Sequence, residues 1–229
     1  MSAGPDTQTM ELEVENASFM LDTLGKDCEP VQYLRELTEN AVQAVNATGE
    51  AQGEVIWDLD WNGYDADGLM KLCCIDTGIG MSAGELKRYI NHLSASRHTQ
   101  SLQGNFGIGA KVAAAPRNPH GIVYVSWKDG IGSMIQLWRD PATEKWGLKQ
   151  FRLADGNYDH CVPVDDAVKP EPLEGKDHGT MVILLGQAPE DNTMEAPVGA
   201  ENRTKWIAKY LNQRYFAFPA GVEIKVREG

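Results

Sequence analysis

The sequence predicts a mixed α/β fold in a single domain, and two observations carry that expectation. Segments that read as strands alternate with helical ones in the first half, and strands then follow one another in a consecutive run beyond Pro116. This order points to a mixed sheet and away from a doubly wound parallel one. The 229 residues, 42% of them hydrophobic, are enough to pack one sizeable core.

Taken in chain order, residues 1–9 are small and polar and read as a disordered tail. "MELEV" alternates Met10, Leu12 and Val14, as a short strand does. Leu34, Leu37, Ala41, Val42 and Val45 recur at helical spacing, so residues 31–47 predict an amphipathic helix ending near Gly49. "EVIWDLDW" and "LMKLCCID" read as strands, with "NGYDADG" between them as hairpin turn residues. Ser82 followed by Glu85 is a capping box that opens the helix "MSAGELKRYINHL". Ser94 to Gly104 is polar and unpatterned, a mobile loop, and "FGIGAKVAAA" starts a helix that Pro116 ends. "GIVYVSW", "GSMIQLW" and "WGLKQFRL" form a strand meander. Residues 154–177, with Pro163, Pro170 and Pro172, read as loop; "HGTMVILL" is a buried strand, "ENRTKWIAKYLNQRY" a helix and "VEIKV" a final strand.

Composition excludes several functional classes. A net charge of -12 argues against a general nucleic-acid binder, because phosphate backbones attract basic surfaces. Cys28, Cys73, Cys74 and Cys161 form no CxxC pair and have no histidine at metal-ligand spacing, so neither a zinc site nor a disulfide framework is indicated. No segment approaches the ~20 apolar residues that span a bilayer, and the N-terminus has no signal pattern. A cytoplasmic protein with no membrane association is expected, or a nuclear one in a eukaryote.

"GNFGIGAK" approaches a P-loop, but Ala110 stands where that motif needs lysine and Val112 follows Lys111 in place of a hydroxyl. Three other segments give it meaning: "RELTENAVQA" with Glu36 and Asn40, "DTGIGM" with Asp76, Gly78 and Gly80, and "HGT" with Thr180. In this order, and at these places on helices and strands, the set resembles that of the GHKL ATPases, which include gyrase B, the ninety-class heat-shock chaperones, MutL, the MORC proteins and the histidine kinases.

The resemblance implies a Bergerat ATP-binding fold, an α+β two-layer sandwich whose mixed sheet is covered by helices on one face and carries a mobile lid. It implies ATP and Mg2+ as ligands. Glu36 and Asn40 lie four apart, on one helix face; Glu36 would activate water, as the catalytic residue, and Asn40 would ligate the metal. Asp76 would accept the adenine amino group, with Gly78 and Gly80 letting backbone approach the base and Met81 and Thr180 beside it. Gly104, Phe106, Gly107, Ile108 and Gly109 would offer the phosphates backbone N–H groups at a helix start. Ser96 and Arg97 fall in the lid and would touch phosphate, whereas Lys111 reads as a solvated lysine, and His98 and His178 as incidental.

Glu36 favours the hydrolytic branch, since a histidine kinase has no use for a water-activating glutamate there. The expected activity is ATP hydrolysis that drives lid closure and dimerisation of a clamp or chaperone-like machine with a protein or DNA client. Two alternatives stay open: a nucleotide-gated protein-interaction module without significant turnover, and a histidine-kinase-like phosphotransfer domain. Residues 10–229 would be the ATP-binding domain, and a transducer-like domain would follow in a longer protein.

Overall fold

The structure is a computed structural model that describes residues 17–91, 108–215, 217 and 219–228. The expected tail and "MELEV" strand, and the loop from Ser94 to Gly104, lie outside the described residues.

The chain begins with α1 (Ala17–Lys26), then α2 (Gln32–Asn46), β1 (Gly53–Leu59), α3 (Trp61–Asp67), β2 (Leu72–Asp76) and α4 (Ala83–Asn91). After α5 (Ile108–Ala114) come β3 (Ile122–Lys128), β4 (Ile131–Arg139), β5 (Trp146–Leu148), β6 (Phe151–Arg152), β7 (Tyr158–Asp159), β8 (Cys161–Val164), β9 (Gly179–Leu184), α6 (Trp206–Arg214) and β10 (Val222–Val226). Among the described residues the main sheet has eight strands in the order β10-β1-β2-β9-β3-β4-β5, with β8 pairing β4 beside β5. The β1–β10 pair is parallel and the other pairs are antiparallel, so the sheet is mixed, as expected.

Alternation along the strands sorts the side chains onto two faces. Val55, Trp57, Cys74, Tyr124 and Val182 face the helices in one large cluster with Leu34, Leu37, Leu86, Ala113 and Ile207. Ile56, Cys73, Ile75, Val125 and Ile183 form a smaller cluster on the opposite face, closed by Trp127 and Leu173. The helices thus lie on one face, giving the two-layer arrangement.

The seat of α2 on this sheet is fixed by a buried polar contact as well as by packing. The Trp57 indole N–H donates to Thr38 Oγ1 at 3.0 Å, and the Thr38 hydroxyl donates back to the Leu34 carbonyl at 2.6 Å. A fully buried tryptophan is stabilised by several kcal/mol only when that N–H is paired, of order ~2–3 kcal/mol for the apolar surface alone. Burying Trp57 therefore sets the rotation of α2, and with it the direction in which Glu36 and Asn40 point.

Several expectations need correction. "NGYDADG" is not a tight hairpin turn: Asp60 caps α3 by accepting from the Gly63 N–H, and Gly68, in the left-handed region, ends it. Residues 154–177 are not all loop, since β8 continues the sheet and Pro163 sits on this edge strand, where a missing N–H is tolerated. "WGLKQFRL" divides, its first part joining β4 and its second forming a separate hairpin with β7. The last helix starts later than expected, at Trp206, after Lys205 adopts a left-handed φ of 51°. The sequence reading did not anticipate α1, because of its side chains Leu21 alone is fully buried while Phe19 and Leu24 are exposed.

Candidate functional site

Helix α2 buries Leu34, Leu37, Ala41 and Val45 against the sheet. Glu36 and Asn40 project from the neighbouring stripe, each half-buried. The Glu36 carboxylate lies against the first turn of α5: a Cβ built on Gly109 would stand 2.2 Å from Glu36 Oε2. A side chain at 109 would push the Glu36 carboxylate out of this position. The other carboxylate oxygen of Glu36 takes an ion pair from Arg35 Nη2. That hydrogen bond is the main cause of the raised Arg35 pKa.

At the end of β2 the chain turns sharply through "DTGIGM". Asp76 is 6% exposed, and its Oδ1 accepts from the Gly78 N–H at 2.9 Å. Burial raises its pKa from 3.8 to about 7, opposed by the Gly78 hydrogen bond. Both glycines of the turn face protein at close range. A Cβ on Gly78 would come within 2.5 Å of the Ala44 side chain, and one on Gly80, at φ +62°, within 1.7 Å of the Trp127 carbonyl oxygen. Their bareness thus packs the turn between α2 and β3, which is a sufficient physical reason for glycine at both positions.

Beside Asp76, Thr180 of β9 and Ser126 of β3 stand in register across three strands. The Met81 N–H donates to Ser126 Oγ at 2.8 Å, Ser126 donates to the Gly179 carbonyl at 3.1 Å, and the Ser126 and Thr180 hydroxyls are 2.9 Å apart. His178 Nδ1 donates to the Gly78 carbonyl at 2.7 Å, so this histidine braces the turn and is not incidental.

These elements enclose a narrow cavity of about 30 Å³. Its lining includes the polar residues Asn40, Asp76 and Thr180 and the apolar residues Leu37, Cys74, Met81, Ile90, Tyr124 and Val182 among others. As it stands the cavity has room for about one water molecule, behind a lining that is mostly apolar.

Of the residues singled out in the sequence, Asn40, Asp76, Met81 and Thr180 meet at this cavity, and Glu36 and Gly109 lie together one helical turn along α2. Gly78 and Gly80 shape the turn, and Ile108 opens α5. Ser96, Arg97, Gly104, Phe106 and Gly107 lie outside the described residues. Lys111 contradicts expectation: it is 1% exposed, its ammonium donates to the Tyr89 carbonyl in the last turn of α4, and burial lowers its pKa to about 8. A helix C-terminus is a favourable place for such a cation. The reading missed Arg35, Ser126, Tyr124, Cys74 and Ile90. Arg35 adjoins Glu36 in sequence, but the others arrive by strand register or helix packing and carry no local motif. Among the described residues no group of three or more His, Cys, Asp or Glu could hold a metal ion by itself.

Fold and site together define a class: a mixed-sheet domain with a small cavity between a helix bearing Glu and Asn and a strand ending in a buried aspartate. No family model matches the chain. It is similar to chaperone protein HtpG of Bacteroides fragilis (strain YCH46), 27% identical over 153 residues, which cover 60% of this chain and 22% of that protein. Chaperone protein HtpG of Bacteroides thetaiotaomicron is 26% identical over the same lengths. The chain therefore matches about a fifth of the length of these relatives. Among the described residues no helix is long and apolar enough to cross a membrane.

Proposed function

We propose that this chain is a GHKL-type ATP-binding domain that hydrolyses ATP to ADP and phosphate. The observation that carries the reading is the convergence of Asp76, Thr180 and Asn40 on one cavity, with Glu36 a helical turn away on the Asn40 side. The distant likeness to chaperone proteins supports it, since the motif resemblance includes a chaperone branch.

In this reading the cavity, about 30 Å³ as it stands, widens to admit the adenine, whose amino group donates to Asp76. The triphosphate runs toward α5, where Gly109 keeps side chains out of the way. Glu36 orients a water and takes its proton as the water attacks the terminal phosphorus; the bond to ADP breaks and ADP leaves with the electron pair. Arg35 holds the Glu36 carboxylate in place. Magnesium, which neutralises phosphate charge when bound, would use the Asn40 side-chain oxygen. One protein oxygen together with phosphates and waters suits this ion. ATP binding would bring two protomers together, and a nonhydrolysable analogue should shift the mass in light scattering toward dimer.

The test is calorimetric titration of ATP and ADP, with and without magnesium, followed by phosphate release from the wild type and Glu36→Ala. Glu36→Ala is expected to bind ATP within about threefold of wild type and to lose ~10²–10⁴ in turnover. Equal turnover in the two proteins would remove Glu36 from the chemistry. Tight binding with no turnover in the wild type would favour a nucleotide-gated interaction module.

A further inference from the structure

We infer that α3 is a docking surface for an arginine-bearing segment of a partner protein, which the exposed rings of Trp61 and Tyr64 receive with the Asp65 carboxylate beside them. The surface lies at the end of the β1–β2 hairpin remote from Asp76, where Leu59 pairs with Leu72. It therefore stands apart from the nucleotide reading.

Helix α3 carries two aromatic side chains that the core does not use. Its seven residues are too few for a helix to hold itself in water, and none of its side chains is buried. Polar anchors hold it instead. Asp60 caps its first turn, the Trp61 indole N–H donates to the buried Asp58 at 3.2 Å, and Asn62 Nδ2 donates to the Val168 carbonyl at 2.9 Å. Trp61 nevertheless stays 57% exposed and Tyr64 39%, their rings edge to face with centroids 6.1 Å apart at 86°. The one polar atom of the indole is engaged with the protein, so what Trp61 shows to solvent is apolar ring. A tryptophan held in this way gives up little freedom on binding, the property of an anchor residue.

Charge decides the kind of partner. Trp61, Tyr64 and Asp65 stand at i, i+3 and i+4, so they share one side of the helix. Asp65 is exposed and has no ion-pair partner among the described residues, and residues 60–68 hold two further aspartates and no lysine or arginine. The neighbouring cations are already engaged: Arg227 with Asp58 and Glu171, Lys169 with Asp166, and Lys71 with the carbonyls of Leu185 and Asp191. Ring surface and a carboxylate are what remain open, and a guanidinium satisfies both at once, by stacking and by hydrogen bonding. An ammonium is more strongly hydrated and lacks the planar fork, so lysine fits less well. The net charge of -12 steers a basic segment toward the chain.

The experiment is calorimetric titration of the chain with short synthetic peptides in which glycine alternates with arginine, lysine or citrulline, the last being the neutral isostere of arginine. Wild type should bind the arginine peptide, bind the lysine peptide more weakly and ignore the citrulline peptide. Trp61→Ala should lower affinity for the arginine peptide ~5-fold or more, and Trp61→Phe, which keeps a ring, should lose less. Asp65→Asn should lower it ~2–5-fold and reduce its salt dependence, whereas Glu201→Gln, which removes an equal exposed charge before α6, should not. Equal losses at Asp65 and Glu201 would mean attraction by net charge alone and overturn the inference. Unchanged affinity in Trp61→Ala, lysine bound as tightly as arginine, or a wild type that binds none of the peptides would overturn it too. Should Trp61→Ala not fold, because Asp58 loses a donor, Tyr64→Ala decides: a loss of ~3-fold or more supports the surface and unchanged affinity removes it.

Discussion

Asp58 and Asp76 sit at opposite ends of the β1–β2 hairpin, both with almost no exposed surface, at 3% and 6%. Asp58 is saturated. Its Oδ1 accepts from the Leu59 N–H at 2.7 Å and the Trp61 indole at 3.2 Å, and its Oδ2 meets Arg227 Nη1 at 3.1 Å. Asp76 has a single hydrogen bond among the described residues, from Gly78, and it faces a cavity. Burial alone therefore does not distinguish a ligand site from a structural carboxylate. Unused acceptor capacity next to free space is what separates the two here, because an incompletely paired buried carboxylate gains most from an added donor.

Exchanging the same atom at the two ends should break the comparison most sharply. Asp76→Asn keeps an acceptor for Gly78 but turns an NH2 donor toward the amino group of adenine, so ATP affinity should fall ~10³-fold, about 4 kcal/mol, with stability nearly intact. Asp58→Asn should leave ATP binding unchanged and cost about 1–2 kcal/mol of stability, discounted because Arg227 is half-exposed. Calorimetry and urea unfolding on both variants give the crossed result. Equal effects on binding would mean that the cavity at Asp76 is not the nucleotide site.

This contrast also marks how far the sequence could be read. The strand ending in Asp76, the glycines after it, the α2 stripe and the Ser82–Glu85 capping box all carry local signals, and each lies where the pattern predicts. At the Asp58 end the same turn-forming residue types make a short helix, because Asp60 and Gly68 cap it as well as they would bound a turn. Nothing near Ser126 reveals that a strand 54 residues later will set Thr180 beside it. Nor does Lys111 show that α4 will end against its ammonium. Helix faces and turns are local, whereas the neighbours a strand acquires by register depend on the whole sheet.

The two turns differ in stiffness in the same sense. Gly80 and Gly68 both have left-handed φ, +62° and +77°, but a Cβ on Gly68 meets nothing within 4 Å while one on Gly80 strikes the Trp127 carbonyl. Gly68→Ala should cost about 1 kcal/mol, the backbone term alone. Gly80→Ala should cost about 3 kcal/mol or more in denaturant unfolding, since strand β3 or the Asp76 turn must move. Similar costs for the two would show that the Asp76 turn yields easily and does not hold the carboxylate.

The smallest expected effect is the pH dependence at Asp76. Asp76 has a folded pKa of about 7 against 3.8 as the ordinary value, so the folded state holds a proton there that the unfolded chain has already released. Its contribution to stability is full below pH ~3.8 and declines as pH rises toward 7. Ligand binding runs the other way. A donor amino group needs the ionised carboxylate, and for a pKa of about 7 the ionised fraction rises from roughly a tenth at pH 6 to roughly nine-tenths at pH 8. Adenosine, which has no phosphate to titrate in this range, should therefore bind ~10-fold more tightly at pH 8 than at pH 6, a change of about 1.4 kcal/mol. Near pH 7 it should release about half a proton, seen as a binding enthalpy that varies with the ionisation enthalpy of the buffer. A flat affinity across this range would mean that Asp76 does not titrate between pH 6 and pH 8 or that the amino group does not meet its carboxylate.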